Sequence, residues 1–336
     1  MRGWPIVISG ILALTCGLSI VSCTTTIKAS TPAATQPRIT FEGDTPPWAE
    51  SASAVMAELE QWRGLGFKEN LQVTFQPQDD PNLNGWYNSE TKQLVVTTAG
   101  SDELGRGVLL HEMFHALQDQ HFDLYNLHIQ SQNTPDYDKA VTAVIEGEAM
   151  LAVSELLNYD FLAHAQLPPE GTISDQLFEN IFLYGAGLKF IQAVREDGGW
   201  DAVDAVFAAP PQATTLILNP ARYLAGERAI DPTEVPLNID ETLTSQTIRG
   251  EYAVRLLLAR QPETRPLVDS IGNSYITDTL GVLTNKNGDI IHRWVIELNN
   301  TNNIESLATG FTTALATELE KQPVAETNNS SIILEW

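Results

Sequence analysis

Apolar residues recur every three or four positions between Trp48 and Arg63, at Val55, Met56, Leu59 and Trp62, and Gly64 ends the run. That spacing predicts an amphipathic helix closed by a glycine. The period then changes to two. Leu71–Phe75 (LQVTF) alternates as a strand does, and GWYNSETKQLVVTT predicts a hairpin that turns at Asn88-Ser89-Glu90-Thr91, with Leu94–Thr98 as the returning strand. Ser101 and Asp102 supply a cap for a long helix running through LLHEMFHALQDQHF. A polar stretch, QSQNTPDYD, separates it from a second helix, KAVTAVIEGEAMLAVSELL.

Farther on, SDQLFENIFLYGAGLKFIQAVRE has helical periodicity and meets Gly198-Gly199, a C-terminal stop. PPQATTLILNPARYL is loop-like. Beyond about Ser245 the pattern gives one helix (EYAVRLLLARQ), a strand pair in LGVLTNKNGDIIHRWVIEL that turns at Asn285-Lys286-Asn287-Gly288, and a last helix ending near Lys321. No internal repeat is present. Strands first, helices next and a mixed tail predict an α+β fold, mostly helical, with a small sheet beside the helix of residues 109–122.

The charge balance narrows the function classes. Against 43 Asp and Glu stand 19 Lys and Arg, a net charge of -24. Such a chain lacks the basic footprint of a nucleic-acid binder, so no nucleic-acid partner is expected. The N-terminus adds a compartment. Arg2 precedes an apolar run, Ile6 to Val21, interrupted by Ser9, Gly10, Thr15, Gly17 and Ser19. The run is shorter than the roughly 20 apolar residues of a spanning helix and fits a signal-peptide core. It ends in Ile20-Val21-Ser22-Cys23, which resembles the lipobox of bacterial lipoproteins; an uncleaved anchor or an ordinary cleaved signal are the other readings.

On the lipobox reading, residues 1–22 are a signal peptide and Cys23 carries the lipid. The only other cysteine, Cys16, is removed with the signal, so the exported protein has no disulfide. The Thr-, Ala- and Pro-rich residues 23–47 read as a tether, and 48–325 as the folded domain, with 245–325 a candidate C-terminal subdomain. The expected location is the cell envelope, held to a membrane through the N-terminal lipid.

The candidate chemistry lies in His111-Glu112-Met113-Phe114-His115. Two histidines four apart on a helix sit roughly 40° apart around the axis, so both rings face one point, as a zinc ion requires. Glu112 between them is placed to take a proton from a water at that point. A catalytic zinc site holds three protein ligands and leaves one position open. His121 is one candidate for the third: HEMFHALQDQH has the histidine spacing of the metzincins, but Gln118 stands where their pattern has the glycine that turns the backbone. If the helix continues, His121 lies about 9 Å farther along the axis than His115 and cannot reach. The other candidate is Glu146.

HEMFH followed by VIEGEA resembles the gluzincins, in particular bacterial gluzincin-like peptidases of the peptidase-MA type. Their third ligand is a glutamate on the next helix, here Glu146 of Glu146-Gly147-Glu148-Ala149. The looser part of the resemblance covers residues 85–225 and includes YGAGLKFIQAV, GGW and NPARYL. It implies zinc bound by His111, His115 and Glu146, Glu112 as general base, and hydrolysis of a peptide or protein substrate. Gly147 is expected to let its helix approach the first. Glu148, about 200° round from Glu146, is the rival ligand; otherwise Glu148, Glu155 and Asp138 read as solvated surface.

Two features depart from the family's pattern. Met150 stands where an acid one turn after the ligand glutamate steadies a zinc histidine, and Asp119 could do that work instead. Asn219 stands where a histidine is expected, which opens a second reading: a zincin-like envelope lipoprotein that binds without cleaving. For a transition-state donor the sequence offers Tyr184, Tyr223 and His292. The strand Leu94–Thr98 is expected to be the sheet edge that takes up an extended peptide.

Overall fold

The computed structural model describes residues 38–79, 83–98, 101–168, 171–272, 274–299, 302–319 and 322–336. The expected signal peptide, residues 1–22, and the expected lipid site at Cys23 fall outside them. The chain is α+β and divides into two compact units: Met1–Tyr125 with Ala152–Tyr159, and Asn126–Leu151 with Asp160–Trp336. Among the described residues no helix is long and apolar enough to cross a membrane.

The first unit holds β1 (Ile39–Glu42), a 3-10 turn (Pro47–Ser51), α1 (Ala52–Arg63), β2 (Leu71–Gln76), β3 (Gly85–Asn88), β4 (Gln93–Thr97) and α2 (Asp102–Phe122). The sheet order is β1-β2-β4-β3, with β1, β2 and β4 parallel and β3 antiparallel to β4. Helix α1 buries Val55, Met56 and Leu59, and Gly64 closes it in the left-handed region at φ 76°. Its Trp62 ring meets Phe114 of α2 edge-on, centroids 5.6 Å apart. Strand β1 corrects the expectation of a tether over 23–47: Ile39–Glu42 pairs in parallel with Leu71–Thr74, so ordered chain begins before residue 48. Three of its four residues are exposed, and so short a strand leaves little apolar signal.

Helix α2 is capped by Ser101 Oγ, which accepts from Leu104 N at 3.2 Å, and it ends where Asp123 turns left-handed at φ 52°. From Gly107 to Asp119 every residue is buried, with no polar face turned to water. A helix covered on all sides is a core element.

The second unit contains α3 (Leu124–Ser131, of which the last six residues belong here), most of α4 (Pro135–Leu156), α5 (Asp175–Asn180), a π-helical turn (Ile181–Ala186) and α6 (Gly187–Ala208). Helix α6 breaks at Gly198-Gly199, where φ reaches -138° and 68°. The segment expected to be loop-like forms two short helices, α7 (Thr214–Leu218) and α8 (Pro220–Leu224), hinged at Asn219. Then follow β5 (Glu241–Thr247), α9 (Gly250–Ala259), α10 (Val268–Gly272), β6 (Tyr275–Asn285), β7 (Ile290–Leu298), α11 (Ile304–Ala316), β8 (Val324–Thr327) and β9 (Ser331–Glu335). The strands form an antiparallel sheet, β5-β6-β7-β9-β8. It extends the expected strand pair on both sides and carries the folded chain beyond residue 325. Arg293 on β7 binds Glu241 of β5 and Glu335 of β9, which joins three strands through one guanidinium.

Buried carboxylates lock the start of α4 into this unit. Asp136 Oδ1 accepts from Thr214 N at 2.9 Å and Thr214 Oγ1 at 2.5 Å. Gly250, at φ 82°, lies so close that an added Cβ would sit 1.7 Å from Asp136 Oδ1. Asp278 takes Gly250 N, Tyr275 Oη and Trp294 Nε1 at 2.6–2.8 Å. Burial, with Asp278 and Glu251 nearby, pushes the Asp136 carboxyl up from 3.8 to about 7 despite the two Thr214 hydrogen bonds. The folded state therefore holds a proton that the unfolded chain has lost, and this contribution to stability is full below about pH 4 and gone above about pH 7. Asp136→Asn keeps the acceptor for Thr214 and removes the ionisation. Urea midpoints measured across that range should show the variant gaining on the wild type as pH rises, by up to about 1.4 kcal/mol per pH unit. A constant difference would contradict the account.

Candidate metal centre

His111 and His115 lie one turn apart on α2, 1 % and 0 % exposed. Their Nε2 atoms face each other at 2.9 Å, with the rings nearly perpendicular. Glu146 of α4 is equally buried, and the ligand atoms of all three residues lie within 4.8 Å of one another. Two imidazoles and a carboxylate could hold a metal ion. The spacing permits one: zinc at about 2.0–2.1 Å from each nitrogen sets tetrahedral nitrogens roughly 3.3 Å apart, so the rings need open by only a few tenths of an ångström.

The four residues after Leu117 have separate structural tasks. Gln118 Oε1 lies 2.8 Å from His115 Nδ1. Asp119 does not steady a histidine as expected. Its Oδ2 accepts from Tyr87 Oη and Lys92 Nζ, both at 2.6 Å, and its Oδ1 caps Leu124 N at 3.0 Å. Burial, reinforced by this carboxylate, holds the Tyr87 phenol well above its ordinary range. Gln120 Oε1 accepts from the backbone of Lys68 and Glu69. His121 Nε2 meets the Gly66 carbonyl at 2.8 Å. The helix continues straight past Gln118, so His121 is carried away from the other two histidines and is not a third ligand.

Glu148 corrects the sequence reading: it is 0 % exposed, a core residue rather than solvated surface. Glu155 is exposed and accepts from Trp62 Nε1 at 2.8 Å; Asp138 is half-buried and accepts from Ser131 Oγ. Gly147 also does something other than expected. A Cβ there would lie 2.2 Å from the Gly187 carbonyl carbon, and one on Gly187 would lie 2.2 Å from Ala143 O. The glycine next to Glu146 thus lets α4 meet the start of α6 backbone to backbone, just after the π-helical turn.

Strand β4 is not the sheet edge. Leu94–Thr97 are buried in succession, as suits an interior strand, and the terminal strands in the order are β1 and β3. Gly85 of β3 packs on α2: a Cβ there would stand 2.6 Å from Val108 Cγ1 and 3.2 Å from Glu112 Cγ. The strand and the candidate base are therefore in direct contact.

The other sequence candidates sit in packing. Tyr184 is buried with its ring edge-on to Phe161, Tyr223 meets Phe190 at 5.0 Å, and His292 stacks on Trp336. Asn219 Nδ2 donates to Thr215 O at 3.0 Å and Glu251 Oε2 at 3.3 Å, which spends the side chain on holding the α7–α8 hinge. Sequence reasoning missed Gln118 as a partner of His115; the signal was available, since an amide three residues on along a helix shares the histidine's face. Comparison with protein-family models, curated proteins and solved structures gives no match.

Proposed function

We propose that this chain is a zinc-dependent metallopeptidase of gluzincin type, with His111, His115 and Glu146 as ligands and Glu112 as general base. The observation that carries the reading is the approach of the three buried ligand groups to one another. The mixed sheet beside the HExxH helix suits the zincin-like arrangement that the resemblance implies. A bound zinc ion would supply Lewis acidity to polarise a peptide carbonyl and acidify water. Glu112, held on α2 under the terminal strand, takes the water proton and returns it to the departing amine. Strand β3 offers an extended substrate an edge to pair with, above the residue that does the proton transfer.

The test is hydrolysis of a peptide library by the purified protein. Activity should vanish with a chelator and return when zinc alone is restored; activity indifferent to the chelator would overturn the proposal. Asn219 supports a second reading, an envelope protein that holds zinc and binds peptide without cleaving it, because its side chain is committed to Thr215 and Glu251. Stoichiometric zinc with no Glu112-dependent cleavage would favour it. Under either reading we place the protein at the cell envelope through a lipid on Cys23. Cys23→Ser should then move it from the membrane fraction to the soluble one, and unchanged fractionation would refute the anchor.

A further inference from the structure

We propose that Gln118 is a positioning residue that fixes His115 in the tautomer able to ligate a metal; the consequence for metal binding rests on the reading above. The argument starts from donors and acceptors. A neutral imidazole carries one proton, on Nδ1 or on Nε2, and only the bare nitrogen has a lone pair to offer. Gln118 Oε1 is an acceptor only, and it lies 2.8 Å from His115 Nδ1. That contact is a hydrogen bond when Nδ1 holds the proton, which leaves Nε2 bare. It is Nε2 that faces His111 Nε2 at 2.9 Å.

Burial makes the preference strong. Gln118 is 1 % exposed and His115 is 0 % exposed, so bulk water does not compete for either group. The pair is three residues apart on one helix, and its geometry comes with α2 itself. A glycine at this position, as in the metzincin pattern, would remove the acceptor. Gln118 thus does for His115 what Asp119 was expected to do, while Asp119 is spent on Tyr87, Lys92 and the helix end.

Two measurements decide it. Nitrogen-15 NMR of histidine-labelled, metal-free protein at mildly alkaline pH should show the His115 ring with a protonated Nδ1 and a bare Nε2. A proton on Nε2 would overturn the proposal. Zinc affinity by competition with a chromophoric chelator should fall about 10- to 100-fold in Gln118→Met, which fills the same space without the acceptor, and be retained in Gln118→Glu, which restores it. The metal-free melting temperatures report packing separately. Undiminished zinc affinity in Gln118→Met, or equal loss in both variants, would refute the role. If the wild-type protein takes up no zinc, the metal reading fails, and the ring measurement still decides what Gln118 does.

Discussion

Replacing Glu112 by glutamine is expected to lower kcat for peptide hydrolysis by about 10²- to 10⁴-fold, the usual worth of a positioned proton-transfer group. Glutamine has the same shape and fits the same slot beneath Gly85, but it cannot accept the proton. Zinc content should be unchanged, since the reading gives the metal to His111, His115 and Glu146. The variant therefore separates two losses that a less conservative change would confuse. Full activity in Glu112→Gln would remove the residue from the chemistry. Loss of zinc instead would make it a ligand and undo the assignment of Glu146.

The second large effect is expected at the carboxylates of α4. Glu146→Ala should weaken zinc affinity by more than about 100-fold, since changes merely in the surroundings of a ligand cost 10- to 100-fold. Glu148→Gln should retain the metal, because its side chain leaves the helix about 200° away from that of Glu146. Both residues are fully buried, so burial alone does not distinguish them. Metal analysis after dialysis at low zinc, on variants shown to be folded, reads the difference. Retention in Glu146→Ala together with loss in Glu148→Gln would exchange their roles.

The legibility of the site differed residue by residue. His111 and His115 were readable because helical spacing is local: once α2 forms, the rings share a face. Glu146 was a different matter. Nothing in periodicity brings a residue 31 positions away to a histidine, and only the resemblance pointed there. Glu148 reads as surface when its charge alone is weighed, although the apolar residues around it, AVIEGEAMLAV, already describe a helix buried on all sides. Alternation revealed strands but not their neighbours. The buried run Leu94–Thr97 marked an interior strand, and its neighbour β3 lies at one end of the sheet. The α+β class followed from element order, whereas the added strands β5 and β8 were too polar or too short to register, unlike the mostly apolar SIILE of β9.

Gly147 shows the same limit from another side. The sequence said that something must come close beside Glu146; it did not say what. The partner is Gly187, and the contact is backbone on backbone. Such a crossing leaves α4 no freedom to shift by the width of a methyl group, which suits a helix that must hold one carboxylate in place.

The most direct test of the metal assignment is anomalous diffraction at the zinc edge from crystals of the zinc-loaded protein. One peak is expected about 2.0–2.2 Å from His111 Nε2, His115 Nε2 and a carboxylate oxygen of Glu146. A peak coordinated by His121 or Glu148, or none beside those two rings, would contradict it.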